Sequence, residues 1–296
     1  MSGACAWGGP VGRGLIRARP DDFAVEEVLG HDPTGEGEHL WLWVEKREHN
    51  TVDVAGMLAR SAGVHPRQVS FAGLKDRNAV TRQYFSLHLP GRADPEWSDA
   101  DLPGVRILSA RRSARKIQRG RLSGNRFILM VRELDADPGQ LEQRLVCLRD
   151  HGAPNGFGEQ RFGGNNVARA RALFAGQLQP KPSKNKRGFY LSAARSLLFN
   201  RVLQRRIDNG SWNRILAGDV AMLDGSRSFF VPEPGDPAIE DRCERMDLHP
   251  TGPLAGQGES PISGAVAEIE QAEFAVEADL FEGLVKFGLR HERRPL

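Results

Sequence analysis

The sequence predicts an α+β protein of two domains, the first on a mixed, mostly antiparallel sheet and the second more helical. Three observations carry that expectation. Short runs with alternating apolar residues dominate before residue 150, a Gly-rich polar stretch from His151 to Asn166 breaks the pattern, and apolar residues then recur every three or four positions. At 296 residues the chain is long for one core.

Leu15 to Val28 reads as a strand and turn, with Pro20-Asp21-Asp22 as the break and Phe23 and Val25 on one face. His39 to Val44 is apolar on both faces, Leu40 and Leu42 on one and Trp41 and Trp43 on the other, so it is a central or near-central strand. Asn50 is placed to cap a helix, with Asp53 at the capping-box position, Val54/Leu58 and Ala55/Ala59 at helical spacing, and Gly63 as the stop. Phe71 to Gln83 is a Gly-initiated turn that leads into a strand carrying Phe85, Leu87 and Leu89. Val105 to Leu108 and Phe127 to Val131 read as further strands, and Asp137 to Asp150 as a helix with Leu141, Leu145 and Leu148 inward. The Gly-rich break then divides residues 1–151 from 152–296. Beyond it, Ser192 caps a helix in which Phe199, Leu203 and Ile207 recur before Asn209-Gly210 ends it. Pro232 to Pro237 and His249 to Gly264 read as loops, and Val266 to Leu289 as a Glu-studded helical region with Leu280, Phe281, Leu284 and Val285 as its stripe.

With 40% hydrophobic and 27% charged residues the composition is that of a globular protein, and no apolar run approaches the roughly 18 residues that cross a bilayer. No membrane span and no secretion signal are expected, since Met1 to Gly14 lacks an apolar core. Three scattered cysteines fit a reducing compartment, hence a cytoplasmic protein. Nothing argues for more than a monomer. Eight histidines never pair at metal-ligand spacing, so no metal site is expected, and Walker, dinucleotide and nucleophile-elbow motifs are absent.

The net charge is only +3, but the charges are segregated. Pro103 to Arg132 holds nine Arg or Lys and no acid; residues 151–230 hold thirteen basic and four acidic side chains, and 231–296 six and fourteen. Such an Arg excess is the footprint of phosphate-backbone binding, with a solvated basic face as the alternative. Within Phe71 to Gln83, Asp76 sits between Lys75 and Arg77. A carboxylate so placed is a candidate nucleophile; the same run also describes an exposed turn with surface salt bridges.

Four blocks in order, Gly35 to Lys46 with Asn50-Thr51, Phe71 to Gln83, Pro154 to Gly163 and Leu191 to Asn200, resemble the TruD family of tRNA pseudouridine synthases. The resemblance implies a pseudouridine synthase catalytic domain with a second domain inserted late in it. It also implies a tRNA substrate modified at uridine 13, no cofactor, and Asp76 as nucleophile with Arg17 as the cation that keeps it ionised. Phe23 and Asn125 match the family's substrate contacts, and Phe127 shapes the same pocket, while Lys75 and Arg77 face the RNA. Read without the family, Phe23 is equally a strand core residue and Asn125 part of a turn. The RNA backbone is expected on Arg111, Arg112, Arg115, Lys116, Arg119 and Arg121, and, in the second domain, on Lys181, Lys184, Lys186 and Arg187. Members of the family also carry a final strand with a Gly-x-Phe-Ala-Thr type segment, which is not found before Leu296. That difference raises a second reading, an impaired or inactive RNA-binding derivative of the family. A third is an unrelated basic enzyme of small-molecule metabolism.

Overall fold

The computed structural model describes residues 5–98, 101–226, 228–233 and 235–296; the first four residues of the Gly-rich N-terminus lie outside them. It divides into two compact units, Gly12–Asp137 and a second made of the chain up to Val11 together with Pro138–Leu296.

The first unit runs β1 (Gly12–Leu15), β2 (Phe23–Val28), β3 (His39–Arg47), α1 (Thr51–Ser61), β4 (Val69–Phe71), β5 (Val80–His88), β6 (Val105–Ser113), β7 (Gly124–Leu129) and β8 (Arg132–Ala136). Six strands form one sheet in the order β6-β3-β5-β2-β7, with β4 beside β5, while β1 and β8 make a separate ribbon. Within that sheet only β2 and β5 run parallel. The alternation read in the sequence explains the packing: Leu40, Leu42 and Val44 of β3 and Phe85 and Leu87 of β5 turn one face to Val54 and Leu58 of α1. Trp41 turns to the opposite face, against Leu29, Ala72 and Ile117. Strand β3 is central as expected, between β5 and β6. Helix α1 begins after Asn50, whose side chain donates to the Asp53 carboxylate at 2.8 Å rather than capping the backbone. It stops at Ala62, followed by Gly63 at φ +59°, a left-handed value that suits glycine.

The second unit contains α2 (Pro138–His151), α3 (Glu159–Phe162), α4 (Asn166–Phe174), α5 (Lys184–Asp208), β9 (Ala221–Leu223), β10 (Phe229–Phe230), α6 (Pro237–Glu244), β11 (Leu248–Leu254), α7 (Gly264–Val276), α8 (Ala278–Lys286) and β12 (Glu292–Pro295). Its four strands pair antiparallel in the order β10-β9-β11-β12. Helix α5 is the axis of this unit. Leu197 and Leu198 meet Leu280 and Leu284 of α8, and Phe199 and Leu203 meet Trp212 and Leu296.

Several expectations are corrected. The division falls after Asp137, not after His151: α2 belongs with the second unit, where Trp7 donates to Gly152 O at 2.9 Å and packs against the rings of His151 and Trp212. Leu145 and Leu148 of α2 point outward, not inward. Ser183 caps α5, accepting from Lys186 N, and Ser192 lies well inside the helix. The turns before Ser192 present Lys184, Lys186, Arg187 and Phe189 to solvent, so no apolar stripe marks them. Strand β11 crosses what its prolines suggested was a loop. Pro250 still accepts through its carbonyl, from Leu296 N at 3.0 Å, which a missing N–H does not prevent.

Candidate active site and nucleic-acid interface

Asp76 lies on the connection between β4 and β5, beside the end of β3. The loop is tied down from beneath by side chains that carry no surface charge. Thr51, the first residue of α1, accepts from Lys75 N at 2.9 Å and donates to Gln83 Oε1 at 2.8 Å; Gln83 Nε2 then donates to Gly73 O at 3.1 Å. Lys46, at 0% exposure on β3, donates to Asp76 O at 2.8 Å and to His49 O at 2.7 Å. Burial brings its amine down from 10.5 to about 8, partly countered by the Asp76 charge and helped by that of Lys75. The backbone of Asp76 is therefore fixed while its carboxylate, 60% exposed, stays open.

Arg17 faces that carboxylate, with Nη2 3.7 Å from Oδ2. Its backbone is left-handed, φ +58°, a conformation that costs a non-glycine residue roughly 1–2 kcal/mol. The turn sends its guanidinium over the Phe23 ring, 3.9 Å from the centroid, and toward Asp76. Phe23 is buried and stacks on Phe127 at 6.0 Å, whereas Phe127 is 57% exposed. Strand register explains the grouping: β2 and β7 place Asn125 opposite Glu27 and Phe127 opposite Val25, so Phe23, Glu27, Asn125 and Phe127 share one face. The Asp76 loop reaches that face through Lys75, whose Nζ meets Glu27 Oε1 at 2.9 Å. A cavity of about 460 Å³ opens here between Arg17, Glu48, Asp76, Arg77 and Asn78.

Five of the residues expected at the site are thus brought together: Arg17, Phe23, Asp76, Arg77 and Phe127, with Asn125 one register step away. Lys75 is a correction. Its side chain is 5% exposed and consumed by the buried pair with Glu27, so it fastens the loop and offers nothing to a ligand. Arg77 keeps its place at the cavity, with Nε donating to Glu48 O at 3.0 Å. Sequence reasoning missed Lys46, Glu27, Thr51 and Gln83. Three of them stand inside the blocks that carried the family resemblance, and that position was the only available signal.

The basic segment is acid-free along the chain but not in space. Arg106 meets Glu45 at 3.3 Å, Arg126 meets Glu26 at 3.7 Å, and Arg132 meets Asp22 at 2.7 Å. Arg112 is a second correction: it pairs with Asp94 and donates to Leu89 O and Arg92 O, so it braces a turn. Arg111, Arg115, Lys116, Arg119 and Arg121 are exposed and form no ion pair among the described residues. The loop between β6 and β7 that bears the last four is pinned by backbone bonds. Trp41 donates to Arg115 O at 2.7 Å, Ile117 N donates to Ser86 Oγ at 3.0 Å, and Gly120 N donates to Ala72 O at 2.8 Å. Such anchoring turns a flexible cationic loop into a positioned one. Lys181, Lys184, Lys186 and Arg187 are exposed at and before the start of α5.

The family model for tRNA pseudouridine synthase D (TruD) matches residues 6–177 and 180–295. Among relatives, the tRNA pseudouridine synthase D of Hydrogenovibrio crunogenus is 45% identical over 295 residues, 99% of this chain and 85% of its own length. That of Ectopseudomonas mendocina is 49% identical over 301 residues, covering 100% of this chain and 84% of its own. A crystal structure of a TruD protein from Methanosarcina mazei superposes with a TM-score of 0.76 at 21% identity, covering 97% of this chain and 84% of that one.

Proposed function

This chain belongs to the TruD family of tRNA pseudouridine synthases, and we infer that Asp76 is its nucleophile. It is an isomerase acting on uridine in tRNA. The reaction breaks the N1–C1′ bond and joins C1′ to C5 of the same uracil, with a proton leaving C5 and one arriving at N1. Atoms and electrons balance within the substrate, so no cofactor is required. By the resemblance, the uridine is that at position 13, and the enzyme works in the cytoplasm. The unit Gly12–Asp137 then carries the catalytic site, and the unit that holds Pro138–Leu296 contains the family's second domain.

A single observation carries the assignment. Asp76 is an open carboxylate on a backbone fixed by Lys46 and Thr51, 3.7 Å from an arginine held by an aromatic ring. Asp76 must be ionised whether it attacks C1′, attacks C6 or removes a sugar proton, and Arg17 stands 3.7 Å from the carboxylate that does so. In water a pair this exposed contributes only about 0–1 kcal/mol. Bound RNA that excludes water strengthens it. The target base leaves its stack to be reached. Phe127 offers the open ring to receive it, and Asn125 a donor and an acceptor for the edge of uracil. Arg115, Lys116, Arg119 and Arg121 hold the backbone beside the pocket. The alternative of an inactive derivative has no support from these relatives, and that of an unrelated metabolic enzyme is set aside by the family match.

Asp76→Asn tests the reading on unmodified tRNA. Product at the target uridine is expected to fall by at least about 10³-fold, with tRNA affinity within about twofold of the parent. An Asn variant that still forms pseudouridine at the parental rate would remove Asp76 from the chemistry.

A further inference from the structure

A second cationic site stands in the unit that holds Pro138–Leu296, centred on Phe157 and leading toward the start of α5. The loop after Pro154 is clamped to α5 by one amide. Asn200 Oδ1 accepts from Phe157 N at 2.9 Å, and Asn200 Nδ2 donates to Phe157 O at 2.8 Å. The clamp holds the Phe157 ring edge-on to Phe199, with centroids 5.4 Å apart. Two guanidinium groups converge on that ring. Arg294 Cζ lies 4.1 Å from the Phe157 centroid and 4.9 Å from that of Phe199, and Arg161 Cζ lies 5.2 Å from Phe157. Each is oriented by a neutral partner: Arg294 donates to Asn155 Oδ1, and Arg161 to Ser192 Oγ at 3.1 Å.

Neither arginine forms an ion pair among the described residues, not even with the exposed Glu159 that shares α3 with Arg161. Glu292 pairs with Arg195 at 3.3 Å and Glu270 with Arg293 at 2.6 Å. Burial, and after it the charge of Arg161, push the Arg294 guanidinium below its ordinary value. Arg294 is half-buried with no anionic partner among the described residues, which is costly in the free protein, and an anion reached by Arg294 and the exposed Arg161 relieves that cost. The surroundings continue the site. Ser192, the anchor of Arg161, lies on the same side of α5 as Gly188 and Lys184, at i−4 and i−8, so that side runs about 12 Å. Gly188 has open space where a Cβ would stand, at a mid-helix position where glycine costs about 1 kcal/mol relative to alanine.

We propose that Arg161 and Arg294, stacked on Phe157, form a phosphodiester-binding subsite for the tRNA backbone, continued along α5 past Gly188 to Lys184. The proposal rests on the reading of this chain as a tRNA-modifying enzyme. Its test is the affinity of the full chain for unmodified tRNA across a salt series. Arg161→Ala, at an exposed residue, is expected to weaken binding about 5–10-fold and to lower the slope of log K against log salt by about 0.7–0.9, one phosphate contact. Arg161→Lys keeps the charge and is expected to keep the slope. Arg294→Gln should repeat the loss of slope, with its thermal melt reporting whether the Phe157 loop is still packed. A folded Arg161→Ala protein with parental affinity and slope overturns the subsite while leaving the enzyme reading intact. A parent chain that binds no tRNA overturns both.

Discussion

Lys46 shows how a buried charge can serve an exposed one. Its ammonium has no carboxylate partner among the described residues and is spent on two carbonyls, those of Asp76 and His49. Lys46→Met leaves both without a donor, so we expect a loss of about 1–3 kcal/mol in folding stability and a lower kcat. Lys46→Arg restores charge but not shape in a fully enclosed site and should not rescue it. The amine also imposes a pH dependence of known sign. Its folded value is about 8 against 10.5, so between those values the unfolded chain holds a proton that the folded chain has released. Stability contributed by this group therefore rises with pH across that window. Measured as urea midpoints, the parent should gain on Lys46→Met by at most about 3 kcal/mol between pH 8 and 10.5. A difference that stays flat, or falls, contradicts the role. None of this was legible in the sequence. Lys46 reads there as the charged end of an apolar strand, because the pattern reports which face a side chain takes and not which carbonyl waits beneath it.

At the scale of elements, the sequence located the strands that carry the site and misjudged how its cations are used. Asp76 stands out in the sequence by turn chemistry and by the block Phe71 to Gln83, whereas Phe23 and Phe127 lie outside those blocks and are marked by strand alternation and by their match to the family's contacts. Lys75 and Arg112 were misread because adjacency to a functional residue, or membership of a basic run, says nothing of partners such as Glu27 and Asp94 that lie far along the chain. The two kinds of arginine around β6 and β7 separate by experiment. Arg112→Ala should leave the salt slope of tRNA binding unchanged and lower stability by about 1–3 kcal/mol, since Leu89 O and Arg92 O lose their donor. The triple change Arg115→Ala, Arg119→Ala, Arg121→Ala should leave the melt nearly unchanged and reduce the slope by about 2–3, one contact for each charge. The opposite pattern would return the loop to the status of a solvated basic face.

Over the whole molecule, the charge segregation along the chain becomes pairing within one unit. The acidic last stretch supplies Glu273 to Arg201 and Arg205, and Glu277 and Asp279 to Arg171. Arg171, Arg201 and Arg205 are thereby neutralised at home, whereas Arg161, Arg294 and the lysines at the start of α5 form no ion pair among the described residues. Each unit also has its own core. That of Gly12–Asp137 is aliphatic around α1, whereas that of Pro138–Leu296 encloses the ion pair Arg206–Asp219 at 2.8 Å, with both side chains almost fully buried. Different chemistry allows each core to be struck separately. Leu58→Ala empties a fully enclosed site in the first and should cost about 2–5 kcal/mol. Arg206→Met strands the Asp219 carboxylate in the second and should cost about 3–5 kcal/mol, because a buried charge without its partner is far less favourable than the pair. Calorimetry of the full chain is expected to resolve two transitions, Leu58→Ala lowering one and Arg206→Met the other. One transition moved equally by both variants would show that the two cores unfold as a single cooperative body.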